Sequence, residues 1–169
     1  NVIQGIFWTA NKLYGLSFRE RTEDYPQYHK QQQSWDVIDK KGNLIAIFYS
    51  DYYPRDGKGA GAWCGRFRPQ SYDGAMRVQP IVTNVCNMTL PAEEGGPALQ
   101  TVDNVLTMFH EFGHALHSFF RDVQYEGTGG VERDFVELPS QINEHWAFEP
   151  EVLRQYARHY RTGEVIPQE

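Results

Sequence analysis

Apolar residues at Ile3, Ile6, Phe7, Ala10, Leu13 and Tyr14 recur at helical spacing, and the pattern stops at Gly15, so a core-packed helix is predicted at the start of the chain. From Glu20 to about Asn87 the period changes. The runs "WDVID" and "LIAIFYSDYY" flank "KKGN" and predict a β-hairpin with Gly42 and Asn43 at its turn. "AWCGRF" and "PIVTNVCNM" are two more strand candidates, so a small sheet is expected in the first half.

The Pro- and Gly-rich "LPAEEGGPALQ" reads as a loop leading into the longest predicted helix. Thr101 is placed to cap that helix, with Asp103 in the first turn where the helix dipole favours negative charge. It should run to about Phe120 and be broken by "RDVQYEGTGG". "DFVELPSQINEHWAF" and "PEVLRQYARHY" follow with helical spacing; Pro150 suits the start of the second, and Pro139 either kinks the first or lies near its beginning. The expected class is α+β, mainly helical, with the small sheet in the first half and the long helix in the second.

That helix carries the chemistry. With His110 at zero on a helical wheel, Asp103, Thr107, His110, His114 and His117 fall within about 80 degrees at 100 degrees per residue, and Val105, Met108, Phe109, Phe112, Leu116 and Phe119 cover the other side. Titratable groups on a helix this apolar are stabilised by nothing in a plain core. His110 and His114, one turn apart, let two imidazole nitrogens meet one zinc ion, and Glu111 lies about 100 degrees round, where a water fits between carboxylate and metal. H-E-x-x-H on a helix therefore predicts a Zn2+ site with Glu111 as general base. The third ligand must come from elsewhere, because His117 lies about 10.5 Å along the axis from His110 and the metzincin spacing, which needs Gly at 117 and His at 120, is not met. Asp134, Glu137 and Glu144 are the acids on offer in the next helix; Glu137 and Glu144 are seven apart, and spacing alone does not choose between them.

Composition narrows the partners. The 169 residues suffice for one domain or part of one. With 16 basic and 22 acidic residues, a net charge of -6 and no Lys/Arg cluster, nucleic acid is not expected, and peptides or small molecules are. The longest purely apolar run, Leu44 to Tyr49, is far short of a membrane span; the first residue is Asn1, not Met, and no charged-then-apolar leader is visible, so the expectation is that the true start is missing or was removed. Cys64 and Cys86 fit neither a disulfide scaffold nor a CxxC site; as reduced thiols they point to a cytoplasmic setting.

"FHEFGHALH" followed by "VERDFVELPSQINEHW" resembles the thimet oligopeptidase family of zinc peptidases, and within it the bacterial dipeptidyl carboxypeptidases. "LYGLSFRE", "FYSDYYPRDGKGAGAW" and "NVCNMTLPAEEGGPAL" extend the resemblance over nearly the whole chain. It implies zinc ligands at His110, His114 and Glu137, a catalytic Glu111, and hydrolysis of short peptides as a dipeptidyl carboxypeptidase or an oligopeptidase. Asp103 and Glu144 are candidates to orient the ligands. "GAGAW" resembles the edge strand that takes a substrate backbone in such peptidases, which makes Ala60, Gly61 and Ala62 substrate-binding candidates.

Two departures qualify this picture. The stretch between His117 and Glu137 is about two residues shorter than in the family, at "YEGTGGV". Members of the family are also several times longer, with a helical portion before this region and a Gly/Tyr-rich segment after it that supplies His and Tyr groups to the substrate. The expectation is a single partial domain, residues 1–169: the zinc-binding core of a larger metallopeptidase that needs its remaining segments. A non-catalytic zinc- or peptide-binding fragment is the alternative.

Overall fold

The computed structural model describes residues 1–93 and 95–167, apart from the side chain of Glu126. Helix α1, Val2–Tyr14, ends where predicted: Gly15 takes the left-handed conformation, φ 70°, and donates its N–H to Asn11 O at 2.7 Å. The predicted hairpin is β2, Gln33–Ile38, with β3, Leu44–Asp51, and its turn is held by Asp39 Oδ1, which accepts from the backbone N–H of Lys41 and of Asn43 at 2.8 Å each. Gly42 at φ 85° supplies the positive φ this turn requires.

β4, Trp63–Arg68, and β7, Ile81–Val85, correspond to the other two predicted strands. Three short strands were not anticipated: β1, Ser17–Glu20, and the pair β5, Ser71–Asp73, and β6, Met76–Val78. The main sheet runs β1-β2-β3-β7-β4 and is antiparallel except for the parallel β3–β7 neighbours. The class is therefore α+β. The strands all lie between α1 and residue 86, and the regular elements on either side of them are helices.

Helix α2, Val102–Phe120, lies across one face of the sheet. Thr101 caps it, its side chain accepting from Asn104 N at 3.2 Å. The apolar side of the helix is buried as an aromatic cluster in which Phe48 of β3 meets Phe112 and Phe119 edge-on, each at 5.6 Å between ring centroids. Phe7 of α1 joins them, stacked on Phe18 at 4.0 Å and tilted against Phe112 at 6.0 Å.

The predicted helix over "DFVELPSQINEHWAF" begins later than its spacing suggested. Residues 133–137 form turns, and α3 is Leu138–His145, so Pro139 stands at its second position, where a missing N–H is tolerated, and kinks nothing. α4 begins at Pro150 as expected but ends at Tyr156, short of the predicted Tyr160, because the chain folds back and Arg158 bridges Val165. The "LPAEEGGPALQ" stretch has no helix or strand among its described residues; Glu94 lies outside them.

Candidate metal centre

Two close approaches build the site. Gly113, in the HEFGH run of α2, is where α3 crosses: a Cβ there would stand 2.6 Å from Pro139 O and 2.6 Å from Ser140 Cα. Without a side chain the helices meet backbone to backbone, and Asn143 of α3 fastens the crossing by donating Nδ2–H to Phe109 O at 2.6 Å. The crossing carries Glu137 and Glu144, one before α3 and one within it, to the polar side of α2.

There His110 Nε2 and His114 Nε2 each lie 3.1 Å from the same oxygen, Glu137 Oε2. Ser140 donates its hydroxyl to that oxygen at 2.8 Å and to Glu137 O at 2.8 Å, fixing the carboxylate. His110 Nδ1 meets Glu144 Oε1 at 2.6 Å. Once the Nδ1 proton is donated to Glu144, Nε2 holds the ring's lone pair, and a lone pair facing a carboxylate oxygen at this distance calls for a cation between them. The three donor atoms lie within 4.8 Å of one another, and two imidazoles with a carboxylate suit a divalent ion such as zinc.

Electrostatics follow the same geometry. Burial pushes His114 below its ordinary value, Glu137 opposing, which favours the neutral imidazole that ligates. The Ser140 hydrogen bond, with help from both histidines and against a smaller burial effect, holds Glu137 below the usual carboxylate range. Glu111 is the reverse case: only 6% exposed, it is pushed up by burial, with His110 opposing and Glu137 adding to the rise. Its Oε2 is buried with no protein partner among the described residues.

The other expected residues are distributed unevenly. Asp103 is exposed in the first turn of α2, about 10 Å along the axis from His110, and its carboxylate makes no hydrogen bond to the cluster among the described residues. Glu144 does touch a histidine, as described. Ala60 and Gly61 lie in a bend ahead of the sheet, Gly61 at φ 87°, with Gly59 O and Gly61 O accepting from Asn87 Nδ2 at 2.9 and 2.8 Å. The edge strand itself starts at Trp63, so of the three small residues only Ala62 reaches the cleft. His117 lines the cleft but stands outside the three-donor cluster. Cys64 and Cys86 are free thiols, both pushed up to about 12 by burial, with Glu111 adding to each.

Sequence reasoning missed how the far end of the cleft is built. The cleft, about 840 Å3, runs between β4 and α2 and is closed by residues 128–131. Gln70, fully buried, accepts from Val123 N at 2.9 Å and donates to Val123 O at 3.3 Å, tying the end of β4 to the chain leaving α2. Arg77 of β6 donates to Phe119 O and Arg121 O at 3.3 and 3.0 Å, capping carbonyls at the end of α2, and to Ile45 O of β3 at 2.9 Å. The signal was present only as two polar residues in a stretch without periodicity.

An HExxH helix facing a sheet edge, with a carboxylate brought in by the next helix, is the arrangement of a metallohydrolase. Comparison with known proteins gives the family. The pattern of peptidase family M3 matches residues 1–169, and the chain belongs to that family, which agrees with the resemblance to thimet oligopeptidase. It is 48% identical to the dipeptidyl carboxypeptidase of Escherichia coli, over 98% of this chain and 24% of that protein. It is 38% identical to oligopeptidase A of Salmonella typhimurium, over 99% of this chain and 25% of the relative, and 36% identical to the thimet-like oligopeptidase of Dictyostelium discoideum, over 95% and 24%. The chain thus spans about a quarter of the length of the curated relatives it matches. No helix among the described residues is long and apolar enough to cross a membrane.

Proposed function

We propose that the 169 residues are the metal-binding core of a longer zinc peptidase that hydrolyses short peptides, as a dipeptidyl carboxypeptidase or an oligopeptidase. The observation that carries the reading is the convergence of His110 Nε2 and His114 Nε2 on one oxygen of Glu137, beside a buried Glu111 oxygen with no hydrogen-bond partner among the described residues. The names of the relatives, dipeptidyl carboxypeptidase and oligopeptidase, support the substrate class.

His110, His114 and Glu137 are the residues that would hold zinc, which supplies Lewis acidity to a water and to the peptide carbonyl. Glu144 keeps the His110 proton on Nδ1, and Ser140 holds the Glu137 carboxylate in place. Glu111 accepts a proton from the attacking water and hands it to the leaving amine; its raised affinity for protons suits both halves of that transfer. The outer edge of β4, unpaired among the described residues, offers main-chain groups along which an extended peptide can lie. Donors for the oxyanion beyond the metal, and the remaining substrate contacts, belong to segments of the longer protein. A cytoplasmic location accords with the two unpaired thiols.

Metal content by elemental analysis, wild type beside Glu137→Ala, tests the ligand set: one zinc per chain in the first and a weakened site in the second is the expected result. Hydrolysis of short peptides by the full-length protein should fall roughly 100-fold or more in Glu111→Gln while zinc is retained. Zinc held equally by both proteins would remove Glu137 from the ligand set. Zinc bound without hydrolysis by the full-length protein would make the site non-catalytic.

A further inference from the structure

The cleft is lined by the metal cluster and also by a cationic side chain, Arg66. Arg66 lies on β4, where it pairs with Val82 of β7; Val82 pairs in turn with Phe48 of β3, whose ring packs on Phe112 and Phe119 of α2. Paired residues share a face of the sheet, so Arg66 stands on the side that faces α2. Cys64, two residues earlier, shares that face, and the next side chain, Phe67, goes to the opposite one, against Tyr49 and Tyr28.

Arg66 lines the cleft together with the metal cluster, is exposed, and makes no hydrogen bond or ion pair among the described residues. Its cationic neighbour differs. Arg121 is packed against Gly129, where a Cβ would overlap its guanidinium. The nearby acid is also engaged: Asp122 accepts from Tyr72 OH at 2.8 Å and lies 3.6 Å from Arg77 Nε. Of the cleft's other acids, Glu137 is occupied with both histidines and Ser140, and Glu111 is buried at the metal end. A guanidinium fork thus faces the cleft beside the sheet edge with no anion paired to it among the described residues, and a planar two-pronged donor of this kind matches a carboxylate.

We propose that Arg66 is a specificity-determining residue of the cleft, recognising a carboxylate on the peptide that lies along β4. This rests on the peptide-binding reading of the same cleft. The carboxylate has two sources, an acidic side chain or the peptide's C-terminus, and one experiment separates them.

Two matched sets of peptides serve as probes: one exchanges Glu for Gln at successive positions around the scissile bond, and the other exchanges a free for an amidated C-terminus. Wild type, Arg66→Gln and Arg66→Lys are compared by kcat/KM within each pair. The same pairs are titrated by fluorescence anisotropy against these proteins carrying Glu111→Gln as well, which reads preference without turnover. Wild type should favour the carboxylate member of at least one pair by roughly tenfold or more, the size expected for a charge-assisted hydrogen bond. Arg66→Gln should lose that preference, and Arg66→Lys should keep part of it. Loss confined to the Glu/Gln set assigns the side chain; loss confined to the free/amidated set assigns the terminus. A wild type without preference, or a preference unchanged in Arg66→Gln, overturns the proposal while leaving the peptidase reading intact. Carboxylate preference in the titration with no hydrolysis by wild type would do the opposite.

Discussion

Glu144 Oε1 and His110 Nδ1 meet at 2.6 Å, on the far side of the imidazole from the 3.1 Å approach of Glu137 Oε2 to Nε2. One ring is therefore gripped through both nitrogens, and its rotation is fixed by residues on either side of the start of α3. Removing the outer grip frees the ring and its tautomer without touching the donor set. Glu144→Ala should lower zinc affinity by about 10- to 100-fold with little change in fold, as measured by competition with a chelator of known affinity. Affinity equal to wild type would show that packing alone orients His110.

Gly113 sets how closely α3 can approach. A methyl group there meets backbone at 2.6 Å on two sides, with Asn143 Cβ at 3.0 Å, and none of these can move as a flexible side chain does. Gly113→Ala should destabilise the protein by about 1–3 kcal/mol and displace Glu137 from the histidines. Thermal unfolding and zinc titration of the same variant should both shift. A loss of stability with unchanged zinc affinity would mean that α3 relaxes without moving the carboxylate.

Away from the cleft, Asp51 is almost fully buried and receives Arg55 at 2.7 and 2.9 Å, Lys58 at 3.0 Å and the Tyr28 hydroxyl at 3.0 Å. Burial alone would push its carboxyl up, but Arg55, Lys58 and Tyr28 together hold it below the usual carboxylate range. A carboxyl depressed in the folded state contributes stability above its unfolded value, near pH 4, and loses that contribution as pH falls through the lower folded value. Asp51→Asn leaves the buried Lys58 ammonium without a counter-charge and should cost about 3–5 kcal/mol near neutral pH. The gap between the two proteins should narrow below about pH 4, when unfolding is followed against pH. A gap that stays constant through that range would assign the loss to packing.

Arg77 ties β6 to the last carbonyls of α2 and to Ile45 O. Arg77→Met keeps the stem and removes the donors, so the C-terminal turn of α2 should loosen. A loss of about 1.5–3 kcal/mol is expected by denaturant unfolding. Faster hydrogen exchange should be confined to the end of α2 and to β5–β6.

Local chemistry made much of this legible. Gly15, Thr101 and the turn at Gly42 act within a few residues of themselves, and an HExxH pair is set by helical rise alone. β1 was missed because "SFRE" is short and mostly exposed, with too little alternation to show. Nothing local dictates that β7 lies parallel to β3 or that β4 ends the sheet, since those are choices of chain path. The choice between Glu137 and Glu144 was closed to periodicity for a related reason. Glu137 precedes the first turn of α3 rather than riding on it, so seven-residue spacing does not put the two on a common helical face, and the two carboxylates reach opposite nitrogens of one ring.

β4 ends the sheet, with the parallel β3–β7 step just inside it. An unpaired row of backbone groups will template any extended chain, including the same strand of a second molecule, and that is how folded proteins begin to aggregate. Here the row carries Arg66 and Arg68. Two copies joining edge to edge would confront arginine with arginine and repel, whereas an oligopeptide passing singly meets no such confrontation. An edge charged in this way is guarded against its own kind.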